Sequence, residues 1–359
     1  GVERDYIQYP GTCVPHDYAG FSDAVSGMGW NKAGPMSYIT DPYPAKIPVN
    51  MHVGCMGLAP ASHDSVDSIP PMPTGGNLDD KRIGKGTTMY YPVEVAGALL
   101  SMGDAHMAQG DSELDGTGIE TSITGTFKIT LIKAAPSFPQ PWMAVLDFPL
   151  GSTAKEFVVH GFTETDYLEK YKDSPGDIYG ASSIDKAMAN TYTQTRKFVM
   201  AAYGLTEPEA NTIITQGVDF GMTQLVDGNW GVHAIIPKAI FNQQAGVRRA
   251  LSASAKSRAA RKKKARMLEA PYTGPSGHYL AVNKDTVHWG YFSKLLPPQL
   301  TIASGETVVV EMASHHACDD YDKMVKGDAG MESVFEWSSS VKGVSDRGAT
   351  GTGDGVHVL

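Results

Sequence analysis

The clearest periodicities of the chain lie in its middle third. Thr121–Lys133 alternates, with Phe127, Ile129 and Leu131 on one side and Lys128 and Thr130 on the other, which predicts a half-buried strand. Glu156–Phe162 shows the same pattern over a shorter run. From Ser183 to about Tyr203 the period lengthens. Ile184, Ala187, Met188, Phe198, Val199 and Ala202 fall on one broad face, which predicts a helix that Gly204 stops. A second helix is predicted from Thr206, because Thr206 and Glu209 have capping-box spacing. Leu300–Met312 predicts two short strands around Ser304-Gly305-Glu306, with Val308, Val310 and Met312 sharing a face of the second. Residues 1–75 are broken by Pro10, Pro15, Pro35, Pro42, Pro44 and Pro48 and predict loops and short strands. Together these elements predict a β-dominated α+β protein, with sandwich or barrel layers and a few peripheral helices around 183–216.

Composition adds limits to that picture. At 359 residues and 42% hydrophobic, the chain can bury the core of one large domain or two ordinary ones. Glycine (39) and proline (22) favour turn-rich β architecture over a helical one. A net charge of −9 argues against general nucleic-acid binding, and no apolar run approaches a membrane-spanning length. Cys13, Cys55 and Cys318 are too few for a disulfide framework. With no Asn-x-Ser/Thr acceptor, they predict the cytoplasm or another reducing intracellular compartment. One stretch stands apart: between Ala250 and Arg266, Lys256, Arg258, Arg261, Lys262, Lys263, Lys264 and Arg266 repel one another with almost nothing apolar to bury. This predicts a basic, solvated linker over 242–270, open to proteolysis, between portions 1–241 and 271–359.

Several familiar chemistries are missing. There is no G-x-S-x-G elbow and no H-E-x-x-H. Ile83–Thr87 fails as a phosphate loop, because Gly86 stands where Ser or Thr is needed and Asp79 where the first Gly is needed. The concentrated chemistry is GDAHMAQGDSELDGTGIE, residues 103–120, which gathers Asp104, His106, Gln109, Asp111, Glu113, Asp115 and Glu120 between turn-permitting glycines. In an extended segment Asp104 and His106 share a side. With Glu120 or His52 they make a three- or four-ligand set for a divalent metal, zinc first. The bland alternative is a solvated acidic loop. Cys55 is a competing nucleophile, although Met56 and Leu58 beside it favour a packing role. His315-His316 with Asp319-Asp320 is a second polar cluster, more simply a surface feature. Asp227–His233 is turn chemistry in the first instance, with Trp230 and His233 able to wall a small pocket. Asp79 and Asp80 beside Lys81 and Arg82 suggest a surface ion-pair patch.

Three blocks carry a resemblance. Residues 75–120, residues 218–241 (VDFGMTQLVDGNWGVHAIIPKAIF) and residues 285–335 (beginning DTVHWGYF) resemble the acetamidase/formamidase family. The resemblance implies hydrolysis of a short aliphatic amide, formamide or acetamide, to the carboxylate and ammonia, in a small pocket of a homo-oligomer. It also places Asp79 near the site. Our own assignment of the chemistry has a metal held by Asp104, His106 and Glu120, with His52 in reach and Glu113 as proton shuttle. Lys85 or the backbone N–H groups of Gly75-Gly76 serve the oxyanion. The family's block order is reversed here, with the VHWGYF block after the DGNWGVHAIIPKAIF block. Circular permutation, a cut through a tandem array, or an assembled sequence would each produce that order. The tandem case predicts a source protein heavier than 38.4 kDa. Two other readings remain at this point: a non-catalytic structural or assembly member of the family, and an amidase using Cys55 covalently.

Overall fold

The computed structural model describes residues 46–241 apart from 115, 121–122 and 135–136, residues 277–312 apart from 284, and three-residue strands at 6–8, 335–337, 342–344 and 356–358. The His315-His316 cluster and the basic linker lie outside the described residues. In the first half of the chain the strands are β1 (Tyr6–Gln8), β2 (Lys46–Pro48), β3 (His52–Leu58), β4 (Ser65–Asp67), β5 (Gly75–Asn77), β6 (Thr88–Tyr90), β7 (Leu100–Ala108), β8 (Ile119–Glu120), β9 (Ile123–Lys128), β10 (Leu150–Ser152) and β11 (Glu156–Phe162). There follow β12 (Asp219–Gln224), β13 (Gly231–Pro237), β14 (His278–Leu280), β15 (Val287–Trp289), β16 (Tyr291–Ser293), β17 (Thr307–Met312), β18 (Phe335–Trp337), β19 (Lys342–Val344) and β20 (Val356–Val358). Helices are few, and the two longer ones are Ile184–Tyr203 and Glu207–Gly217. The architecture is the β-dominated α+β class expected.

Three sheets organise the molecule. One has the order β12-β13-β11-β10-β6 and is covered by the long helix Ile184–Tyr203. A second is β14-β17-β9, with β14 parallel to β17 and β17 antiparallel to β9. The third, which carries the site, runs β15-β20-β7-β3-β5, with β8 also on β7. Strand β7 is therefore paired on both edges, by β3 on one and by β20 and β8 on the other. Strands from 277–358 pair directly with strands before 129: β17 with β9, β16 with β4, and β20 with β7. One core cluster shows the same interleaving, since Val53, Met56, Met102 and Ala105 pack with Leu280, Val287, Val308, Val310 and Met312.

Local expectations meet this fold unevenly. Strand β9 alternates as predicted, with Ile123 and Phe127 packed on the core and Thr124, Thr126 and Lys128 exposed, but Leu131 beyond it is exposed. Strand β11 has the predicted limits. The long helix starts at the Ser183 cap and ends on Gly204 at φ 68°, and Thr206 and Glu209 form both halves of the capping box. Its buried face differs from the prediction: Ile184 and Met188 are exposed, while Thr191 and Thr195 are buried. The helix lies so close over Gly161 that a Cβ there would collide with the Thr191 backbone, which leaves no room for bulk on that face. Thr191 satisfies its hydroxyl on Ala187 O and Val232 O. Leu300–Met312 contains one described strand, not two, because the turn at 303–306 already closes the β9–β17 pair: Ile129 N donates to Glu306 O and Gly305 N to Ile129 O. Among the described residues, no helix is long and apolar enough to cross a membrane.

Candidate functional site

The site grows out of sheet register. His52 of β3 stands opposite His106 of β7, and His106 stands opposite Glu120 of β8. Residues directly opposite in a sheet share a face, so three donor side chains form one row across three strands. Asp104, two residues back on β7, comes to the same place. His106 Nε2 lies 3.1 Å from Glu120 Oε1 and 3.3 Å from Asp104 Oδ1. Asp104, His106 and Glu120 each offer a ligand atom within 4.8 Å of the other two.

Two further acids arrive from other elements. Asp79 follows β5 and is pinned by Gly54, whose carbonyl accepts the N–H groups of both Leu78 and Asp79. Its Oδ1 is 3.9 Å from His106 Nδ1. Glu113 sits in a loop tied to β12, where Ser112 N donates to Thr223 O and Leu225 N to Ser112 O. Asp79, His106 and Glu113 form a second set of ligand atoms within 4.8 Å of one another. Three of these acids hold left-handed backbones, Asp79 at φ 48°, Asp104 at 51° and Glu113 at 43°. Such conformations are costly for residues with a Cβ and concentrate where function requires a particular geometry. Gly54 makes the convergence possible. It stands across from Asp104 between the Val53–Ala105 and Cys55–Gly103 pairs, and a Cβ on it would lie 2.6 Å from both Asp104 Oδ2 and Asp79 Oδ1.

The surroundings orient these donors. Gly118 N and Thr117 Oγ1 each donate to Glu120 Oε1 at 3.0 Å. His106 Nδ1 is 3.2 Å from His52 Nε2, and His52 Nδ1 donates to Asn50 O at 2.7 Å. His52 Nε2 also lies 3.2 Å from Gln109 Oε1, and these contacts fix the two rings so that His106 Nε2 is turned to Asp104 and Glu120. His52 titrates below its ordinary value, through burial first and then the charge of His106. For His106 burial works against the charged form, but Glu120 and then Asp104 outweigh it and hold the imidazole well above its usual value. Burial pushes Glu113 well above the carboxylate range, and the charges of Asp79, Asp227, Asp104 and Glu120 add to it. In this buried set the carboxylates of Asp79, Asp104, Glu113 and Glu120 outnumber the one imidazole, His106, whose charge they favour. The donors of the set, carboxylate oxygens with one or two imidazoles, are those a divalent cation takes, so the residues fit the metal expected from the sequence.

Beside it lies a second buried network. Asp80 Oδ2 accepts from His160 Nε2 at 2.9 Å, while Arg82 Nη1 bridges Asp80 Oδ1 and Asp111 Oδ1, each at 2.9 Å. Burial opposes the charge on Asp80, but the His160 hydrogen bond, with the charges of His160, His233 and Arg82, holds it far below the usual range. His233 donates to or accepts from Thr223 Oγ1 at 2.9 Å and is pushed down to about 4, chiefly by burial. The surface patch expected at Asp79 and Asp80 is thus corrected. Both are at most 2% exposed, because the chain leaving β5 is tied to Gly54 O through Leu78 N and Asp79 N, and Asp80 is held by His160 and Arg82.

The structure brings Asp79, Asp104, His106, Glu113, Glu120 and His52 together. It does not bring the other expected residues to that point. Lys85 is exposed in the Gly84–Thr87 turn, and the N–H of Gly75 already donates to Met72 O. Cys55 packs in an apolar cluster with Val66, Met72, Tyr167 and Phe292, the setting of a packing cysteine. Trp230 is half-buried with its carbonyl accepting from Thr163 N, and His233 belongs to the Asp80 network. Sequence reasoning missed His160 and Gly54. His160 had no signal, being a single histidine in a strand pattern 80 residues from Asp80. Gly54 had a weak one, an isolated glycine inside a strand, which marks close backbone approach.

The chain is similar to known proteins over part of its length. The model of the Acetamidase/Formamidase family matches residues 46–243, more than half the chain. An acetamidase from Mycolicibacterium smegmatis is 44% identical over 57 residues, 16% of this chain and 14% of that protein. A formamidase from Methylophilus methylotrophus is 36% identical over 114 residues, 29% of this chain and 28% of that protein. The matches thus span just over a quarter, at most, of these curated relatives. A crystal structure of an acetamidase from Bacillus halodurans aligns over 56% of this chain and 59% of its own, at 22% identity and a TM-score of 0.42.

Proposed function

The chain belongs to the acetamidase/formamidase family, and from that premise we propose that it hydrolyses a short aliphatic amide, formamide or acetamide, to the carboxylate and ammonia. The observation that carries the reading is the convergence of Asp104, His106 and Glu120 on one point in a member of this family. Amide hydrolysis needs an activated water, a stabilised oxyanion and a proton for the departing nitrogen. Asp104, His106 and Glu120 would hold a divalent cation, which would supply Lewis acidity and lower the pKa of a bound water. Zinc suits this donor set.

The rest falls to the chain's own groups. His52, fixed by Asn50 O, orients His106, and Gly118 N–H and Thr117 Oγ1 orient Glu120. Glu113, whose proton burial and the acidic neighbours favour, is placed beside His106 to give a proton to the leaving amide nitrogen. Asp79 reinforces that protonation, as the first carboxylate acting on Glu113. The test is ammonia release from formamide, acetamide, propionamide and urea, with and without a strong chelator. Release from the short amides that chelation abolishes and zinc restores is the expected result. Release indifferent to chelation removes the metal from the reading. No release from folded protein removes the hydrolase.

A further inference from the structure

Asp104 and Glu120 account for one side of His106. The other side holds Asp79 and Glu113, whose ligand atoms also lie with one of His106 inside 4.8 Å. Glu113 is 7% exposed, and its Oε2 has no hydrogen-bond partner among the described residues. A buried carboxylate oxygen left so is expensive unless something else is bound to it. Asp227, 5% exposed, is a further carboxylate acting on Glu113. When ionised, Asp79, Asp104, Glu113 and Glu120 carry four negative charges, and one divalent cation cancels only two of them.

We propose that Asp79 and Glu113 form a second divalent-cation site beside the first, and that filling it inhibits the enzyme. The inhibitory half rests on the hydrolytic reading above. A cation on Glu113 Oε2 takes the place of the proton that Glu113 delivers to the leaving nitrogen. The amide nitrogen then has no proton to take up, its bond to carbon does not break, and turnover stops while the first site stays filled. This makes the protein's response to its own metal biphasic.

The experiment is a zinc titration of the full chain after chelation, with bound zinc counted by elemental analysis after gel filtration and ammonia release from formamide followed in parallel. The first equivalent is expected to restore release, and a second to lower it at least tenfold. Glu113→Gln and Asp79→Asn chains are expected to bind one equivalent only, and the wild-type titration decides the matter even if either variant fails to fold. Saturation at one activating equivalent overturns the second site and leaves the hydrolytic reading standing. Two equivalents with undiminished release overturn the inhibition. No bound zinc overturns this inference and the metal part of the reading together.

Discussion

At the scale of single residues, the site depends on what position 54 lacks. Gly54 leaves open the space in which the carboxylates of Asp79 and Asp104 meet. Gly54→Ala forces one of them out of place, and the nearby atoms include the Asp104 carbonyl, which is backbone and cannot swing aside. We expect a stability loss of about 1–3 kcal/mol, as for other overpacked interiors, seen as a lower urea midpoint, together with loss of bound zinc. Asp80 gives a second residue-scale prediction. Its folded-state pKa is depressed, so the stability it contributes is complete above the unfolded value, about 3.9, and is lost as pH falls below it towards the folded one. Asp80→Asn should cost about 3–5 kcal/mol near neutrality, by stranding His160 and Arg82. The gap to wild type should narrow as urea unfolding is repeated below pH 4. A gap that is constant with pH would show that Asp80 carries no such charge. Asp104, His106, Glu113 and Glu120 stood out in the sequence as one dense polar segment, whereas Asp79 and Asp80 read as a surface patch. The left-handed backbones of Asp79, Asp104 and Glu113 and the partnership of Asp80 with His160 were not legible, because both are imposed by strands far away in the chain.

At the scale of elements, what depends on near neighbours was legible. The long helix carries its own start and stop, and the next helix its own capping box. Thr206→Ala removes one half of that box, the side chain facing the N3 backbone. It is expected to cost about 1 kcal/mol, measured by thermal unfolding, with ammonia release unchanged because this helix packs on the long helix, in a core cluster that holds none of the site residues. What depends on partners was less legible. Leu300 and Ile302 are apolar as a strand would require, and they do pack on the core, yet among the described residues no strand pairs with them. The buried face of the long helix shifted for a similar reason, since its period gives a face but Gly161 decides which residues fit. The row His52–His106–Glu120 likewise needed a register that no single segment specifies.

At the scale of the whole molecule, the two sides of the basic segment are one fabric. β17 lies on β9, β16 on β4 and β20 on β7, so the portions 1–241 and 271–359 share sheets and a core. A chain cut by trypsin among Lys256–Arg266 is therefore expected to run as a single species on gel filtration and to separate only in denaturant. Fragments that part without denaturant would contradict the shared sheets. From the sequence a reversed order of blocks was expected, whereas the pairing of β17, β16 and β20 with β9, β4 and β7 had no signal there. The open space at Gly54 has a consequence for sorting relatives by descent. A chain that keeps every histidine and acid of the motif but carries a larger residue at this position still reads as kin, and its reaction chamber is shut. On the proposed reading, the donors mark kinship, and the missing methyl group at position 54 marks competence.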